Sequence, residues 1–277
     1  MTTTVDQTDA IDLGPARIDE PPTGWIWIIK DSWTEATRHL RAIPRNPELL
    51  VFATIQPIMF IVLFVYVFRG SINVPIDYVQ YVIPGIFAQT VLFNSAFTGV
   101  GVADDLSKGI IDRLRSLPMY PSAVLIGRTL SDIVRNVMTF AVMIAVAFAI
   151  GFRFNGSVIG AIGATLLMFL FSYAFSWIQS LIGLSVGSVE AANSAGFVWM
   201  FPLTFVSSAF VDVSHMVSWL RPFARNNPFT ILTNACRALY NGYDAGSDVW
   251  LAVAWALGIT IVFAVLTTRK FAKSTSA

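Results

Sequence analysis

The chain has 277 residues, 55% of them hydrophobic and 13% charged, with a mean hydropathy of +0.66. Soluble domains run at about 45–50% apolar and about 25% charged, so the composition excludes an ordinary soluble fold and marks an integral membrane protein. The net charge of +1 gives no basic surface for nucleic acid, and the single cysteine Cys236 with His39 and His215 is too small a set for a disulfide or a Cys/His metal centre.

Residues 1–24 carry Asp6, Asp9, Asp12, Asp19 and Glu20 with Pro15, Pro21 and Pro22, and no apolar core. They are expected to form a disordered arm rather than a secretory signal. In residues 25–47, Trp25, Ile29, Trp33, Ala36, Leu40 and Ile43 recur at helical spacing up to Pro44 and Pro47. This predicts an amphipathic helix in the inner-leaflet interface, with a solvent-exposed helix on a partner as the alternative. Residues 48–277 form the membrane domain.

A helix crosses the hydrocarbon core in about 20 residues. Six stretches without Asp, Glu, Lys or Arg meet or approach that length: Leu49–Phe68, Tyr78–Ala103, Asn136–Phe152, Phe154–Val189, Ala191–Val211 and Val249–Thr268. The fourth is read as one tilted helix from about Gly160 to Gly187, since no internal Pro breaks it. With six spans, twelve Lys and Arg residues fall on the side of the two termini and five on the other, among the residues after position 24. The termini are therefore predicted cytoplasmic. The expected fold is an all-α membrane protein of six spans.

Between spans two and three, Leu106, Ile110, Leu114 and Leu117 make an apolar stripe closed by Pro118, with Asp104 or Asp105 as the N-cap. The spacing predicts a cytoplasmic helix over Asp104–Pro118, resting on lipid or docked to a partner. Arg128, Asp132 and Arg135 follow at i, i+4 and i+7, read as a headgroup-level salt bridge at the entry to span three. Ser172, Ser176, Ser180, Gly183 and Gly187 form a small-residue face on span four, suited to close helix packing within the chain or with a second copy. Glu190 falls in a solvated turn. Between spans five and six, Val213–Leu220 is read as a short interfacial helix, and Asn226 or Asn227 followed by Pro228 as the start of a second one through about Tyr240. A gate-like cap, a re-entrant insertion and a passive loop all fit this outer segment. Phe60, Phe64, Phe87, Phe93 and Phe97 are candidate path-lining rings, each also suited to plain packing. No G-x-x-x-x-G-K-[ST] phosphate loop and no H-E-x-x-H motif occurs.

The stretches RNPELLVFATIQPIMF (Arg45–Phe60), YVIPGIFAQT (Tyr81–Thr90), GIIDRLRSLP with SAVLIGRTLSDIVRN (Gly109–Asn136) and NPFTILTNACRALYNG (Asn227–Gly242) resemble the permeases of ABC type-2 exporters, in particular the daunorubicin-resistance branch. The resemblance implies a transport subunit without an ATPase site, which pairs with a second permease chain, the same or related. A separate ATP-binding subunit would bind ATP and Mg. It further implies that the helix at Asp104–Pro118 is the coupling helix, with Gly109, Asp112, Arg113, Leu114, Arg115 and Pro118 at the ATPase interface. Trp33, Arg38 and Arg41 would belong to a connecting helix bracing the same subunit. The expected activity is export of an amphipathic, drug-like or lipidic compound across the plasma membrane. Export of a lipid-linked glycan or complex lipid, and an ion-coupled carrier, are the alternatives.

Overall fold

The computed structural model describes residues 33–34, 37, 47–70, 72, 74–110 and 121–273. Among the described residues every regular element is helical. α1 (Pro47–Val62) continues into a π-helical stretch, Leu63–Phe68. α2 (Tyr78–Asn94) and α3 (Ala96–Ser107) are one 30-residue rod, interrupted only at Ser95. α4 is Pro121–Ile150, α5 Val158–Gly183 and α6 Val189–Phe205. A 3-10 turn at Val213–His215 leads to α7 (Arg221–Asn226), α8 (Pro228–Asn241) and α9 (Asp248–Lys273).

Among the described residues four helical segments are long and apolar enough to cross a membrane: Tyr78–Ser107, Ile126–Ile150, Val158–Gly183 and Asp248–Phe271, with a shorter apolar one at Ile55–Phe68. All six sequence stretches are helical, but α6, at 17 residues, is short of a full crossing by length alone.

The α2–α3 rod is the centre of the molecule. It is largely buried on all sides, polar Gln89, Thr90, Asn94 and Thr98 included, and it packs on α1, α4, α5, α6 and α8. Asp77 caps its start by accepting from Val79 N at 3.0 Å, and Arg69 holds that carboxylate at 2.9 Å. α9 packs on α5 and α8 through one face, while Trp250, Trp255, Ile261 and Val262 on the other faces stay exposed. A soluble protein would cover an apolar surface of that extent.

Several boundaries differ from the sequence expectation. The helix expected to begin at Asp104 does not: Asp104 and Asp105 lie in the last turn of α3, Lys108 caps it through Asp104 O at 3.0 Å, and Gly109 follows at φ +65°. Carboxylates at a helix C-terminus oppose its dipole, and each is matched by a cation, Lys108 Nζ on Asp104 at 2.7 Å and Arg128 on Asp105. The polar entry to span three holds the expected salt bridge, Arg135 on Asp132 at 2.6 Å, with Asp132 inside α4 and buried against neighbouring helices. Span four ends at Gly183, with Leu184 as its C-cap, so Gly187 is outside the helix. The outer helix expected over Val213–Leu220 is replaced by the 3-10 turn, capped by Asp212 on Ser214 N at 2.7 Å, and by α7, whose Pro222 sets the first helical turn. α8 starts with Asn227 capping Phe229 N at 2.8 Å and ends at Gly242 in the left-handed region. It is no loose outer loop: it is buried against α2, α5 and α9.

Candidate functional site

A cavity of about 380 Å³ opens between α1, α2, α3 and α6. α1 contributes Ile55, Gln56, Met59 and Phe60, α2 contributes Gln89, Thr90, Phe93 and Asn94, α3 adds Phe97, and α6 adds Asn193 and Phe197. The rings are held by one another: Phe93 meets Phe197 edge-on at 5.5 Å and Phe201 at 5.2 Å, and Phe60 stacks on Phe64 at 6.0 Å. Edge-to-face packing fixes ring orientation beyond what simple burial does, so the wall is a pre-formed aromatic surface.

Behind that wall α4 runs antiparallel to α3, with two polar rungs to α3 and a third contact from Arg135 to Asn94 O at the end of α2. At the far end Arg128 pairs with Asp105. In the middle the Thr98 hydroxyl donates to Asp132. Nearest the cavity Arg135 bridges Asp132 at 2.6 Å, donates to the Asn94 carbonyl at 3.4 Å and lies 5.1 Å above the Phe97 ring. Asn94 and Phe97 line the cavity, so the ladder ends on its wall. Gly101 makes room for the first rung: a Cβ there would sit 1.4 Å from Arg128 Nη2. The salt bridge read from this spacing forms within α4 between Asp132 and Arg135, while Arg128 pairs across with Asp105. Arg128 reaches across to α3 because the last turn of that helix offers an unmatched carboxylate.

Of the five candidate rings, Phe60, Phe93 and Phe97 line this cavity. Phe64 is stacked on Phe210 at 4.4 Å, and Phe87 is sealed in the core against Phe140, Phe152 and Tyr240. The small-residue face of α5 meets α2–α3 of the same chain. Ser172 donates to Val91 O at 2.9 Å and accepts from Asn136 at 2.7 Å, Ser176 and Ser180 are buried, and a Cβ on Gly183 would lie 2.3 Å from Gly99 O. Gly187 has open space around it. Gly109 marks the turn after α3, whereas Asp112, Arg113, Leu114, Arg115 and Pro118 lie outside the described residues. Trp33 is helical and 60% exposed, and Arg38 and Arg41 also lie outside them. Glu190 sits in the first turn of α6, capped by Ser188.

Sequence reasoning missed two sets of residues. The polar members of the cavity, Gln56, Gln89, Asn94 and Asn193, are single amides in apolar runs and show no periodicity. The second set was legible: Asn227, Thr230, Asn234, Arg237 and Asn241 recur at spacings of three and four, a polar stripe on one face of α8. That stripe locks α8 in place. Arg237 donates to Tyr81 O at 3.0 Å, Ser208 O at 2.7 Å and Asn234 Oδ1 at 3.0 Å and stacks 3.6 Å over the Tyr81 ring. Asn227 donates to Leu203 O and Val206 O, both at 2.7 Å, and Thr230 accepts from Ser208 N. These bonds satisfy the backbone carbonyls freed where α6 ends, which buried backbone requires.

The profile of the ABC-2 type transporter family matches residues 32–241. The chain is similar to the daunorubicin resistance ABC transporter permease protein DrrB1 of Streptomyces coeruleorubidus, 30% identical over 239 residues covering 86% of this chain and 84% of that one. It is also similar to the doxorubicin resistance ABC transporter permease protein DrrB of Mycobacterium tuberculosis, 24% identical over 200 residues covering 70% and 69%. With its apolar outer helices and a family match across most of its length, the chain belongs to the ABC-2 type transporter family and is a membrane-integral permease.

Proposed function

We propose that this chain is the membrane half of an ATP-driven exporter that moves an amphipathic, drug-like compound out of the cell. Two permease chains pair in the plasma membrane, each crossing it six times with both termini cytoplasmic. The N-terminal arm (1–24) and connecting helix (25–47) precede the membrane domain (48–277). A separate ATP-binding subunit, which holds the ATP and Mg, docks on the segment from Gly109 to Pro118 through Asp112, Arg113, Leu114 and Arg115, with Trp33, Arg38 and Arg41 bracing it.

The observation that carries this reading is the continuity from docking segment to cavity. α4 begins at Pro121, directly after that segment, and its Arg128 and Asp132 bind α3 while Arg135 reaches Asn94 O of α2 and the Phe97 ring of α3 on the cavity wall. A displacement of α4 from below therefore acts on the wall through charged contacts, which hold discrete arrangements, rather than through compliant packing. ATP binding and hydrolysis in the partner would then shift the balance between two conformations of the pair. An ion-coupled carrier is disfavoured: among the described residues Asp132 is the buried carboxylate, and Arg135 and Thr98 already occupy it.

The test is co-expression with an ATP-binding subunit, followed by ATP-dependent uptake of doxorubicin into inside-out vesicles. Uptake and co-purification are expected with the native chain, and both are expected to fail with Arg113→Glu. Uptake of a labelled glycolipid in place of doxorubicin would favour the lipid reading. Intact assembly in the Arg113→Glu variant would remove the docking site from this account.

A further inference from the structure

We propose that a second pocket, between the start of α2, the loop joining α6 to α7, and α8, binds a phosphate oxyanion, supplied by the headgroup of a bilayer phospholipid. The pocket shares no residue with the aromatic cavity and has a volume of about 410 Å³. Its polar lining includes Tyr81, Ser208, Asp212, Arg225, Asn234 and Arg237.

The charge of this pocket is not balanced from within. Arg237 is only 8% exposed, and its bonds go to Tyr81 O, Ser208 O and Asn234 Oδ1, uncharged acceptors on residues that line the same pocket. Such acceptors solvate a buried cation without cancelling its charge, which is ordinarily the task of an anion. Arg225, in the last turn of α7, also lines the pocket; it is exposed and enters none of the ion pairs among the described residues. Asp212 is the one carboxylate in the lining, and it already accepts from Ser214 N at 2.7 Å. Two guanidinium groups against one carboxylate leave a single positive charge, which the single negative charge of a phosphodiester would cancel. The planar fork of arginine matches phosphate oxygens two at a time. The surroundings favour a lipid as the source. Val217 and Trp219 on the same loop and Phe223 on α7 are exposed, and side chains of this kind settle at the headgroup level of a bilayer, where Arg225 meets lipid phosphates.

The experiment is equilibrium dialysis of the full chain, stripped of lipid in a maltoside detergent, against radiolabelled dihexanoyl phosphatidylglycerol. Dihexanoylglycerol, which lacks the phosphate, is the control, and inorganic phosphate the competitor. Binding is read without transport, so the outcome is independent of the export reading. The phospholipid is expected to bind saturably and the control is not. Arg225→Gln should weaken phospholipid binding about tenfold, the loss of one charge-assisted hydrogen bond. Asp212→Asn should strengthen it about threefold by removing the opposing charge, a gain that misfolding cannot imitate. If Arg225→Gln does not fold, the Asp212→Asn gain and the native comparison decide. Displacement only by a large excess of inorganic phosphate supports the lipid headgroup as occupant. Displacement at equal concentration overturns the lipid source and supports a free phosphate in the same oxyanion site. Equal binding of phospholipid and control, no saturable binding, or an affinity that either substitution leaves unchanged overturns the proposal.

Discussion

Replacing Asp132 by Ala tests the ladder between α3 and α4. The side chains of Asp132 and Arg135 are 10% and 21% exposed and bridge at 2.6 Å. Removing one member of a buried pair leaves an uncompensated charge, a change that costs about 3–5 kcal/mol. Here Arg135 keeps the Asn94 carbonyl at 3.4 Å and the Phe97 ring, which places the cost near the lower end, about 3 kcal/mol. The Thr98 hydroxyl loses its acceptor as well, a further loss of about 1 kcal/mol. Replacing both charges, Asp132→Leu with Arg135→Met, removes the desolvated pair altogether and should return stability to within about 1 kcal/mol of the native chain. Reversible unfolding in mixed micelles, run as a double-mutant cycle, measures both. A single-variant cost below about 1 kcal/mol, or a double variant as damaged as Asp132→Ala alone, would falsify the assignment of a coupled buried pair. The restored double variant should still export poorly, since the rungs that tie α4 to the cavity wall are gone.

Gly183→Leu should separate α5 from α3, because even its Cβ would lie 2.3 Å from Gly99 O; a loss of about 3 kcal/mol would show in thermal unfolding, while Gly187→Leu, in open space, should change little. Asn227→Ala removes the α8 cap and the bonds to Leu203 O and Val206 O, with an expected loss of about 2 kcal/mol in the same assay. Asp212 is predicted to make the loop between α6 and α7 acid-sensitive. Partial burial pushes its carboxyl up, but hydrogen bonds from Ser214 and the charges of His215 and Arg237 outweigh burial and hold it below its ordinary 3.8. A carboxyl held down in the folded state stabilises above that value and loses its contribution as pH falls through the depressed one. Protection factors at residues 212–216, the exchange rates referred to the intrinsic rate at each pH, should therefore hold at neutral pH and fall only in acid, and Asp212→Asn should abolish that dependence.

The helices were legible because hydropathy and capping are local: Asp77, Ser157, Ser188 and Asn227 each cap the helix they precede. What the sequence hid is the matching of partners across helices. The Arg128, Asp132 and Arg135 spacing suggests pairing along one helix, and only the antiparallel approach of α3 shows Arg128 going to Asp105 instead. The helix start assigned to Asp104 failed for the same reason, since an acidic pair before an apolar stripe looks like an N-cap until Lys108 and Arg128 are seen to neutralise it at a C-terminus. Phe60, Phe93 and Phe97 could not be told from Phe87 by periodicity, because burial in the core and exposure to a cavity differ by neighbours alone.

The central claim is that a partner subunit drives this chain from below through the segment after Gly109. Cys236 is fully buried, so Leu114→Cys introduces a thiol against a quiet background. Labelling by a membrane-impermeant maleimide only in inside-out vesicles, together with cross-linking to a co-expressed ATP-binding subunit in a yield that changes with ATP, is the predicted result. Labelling of Leu114→Cys from the outside of intact cells would contradict it.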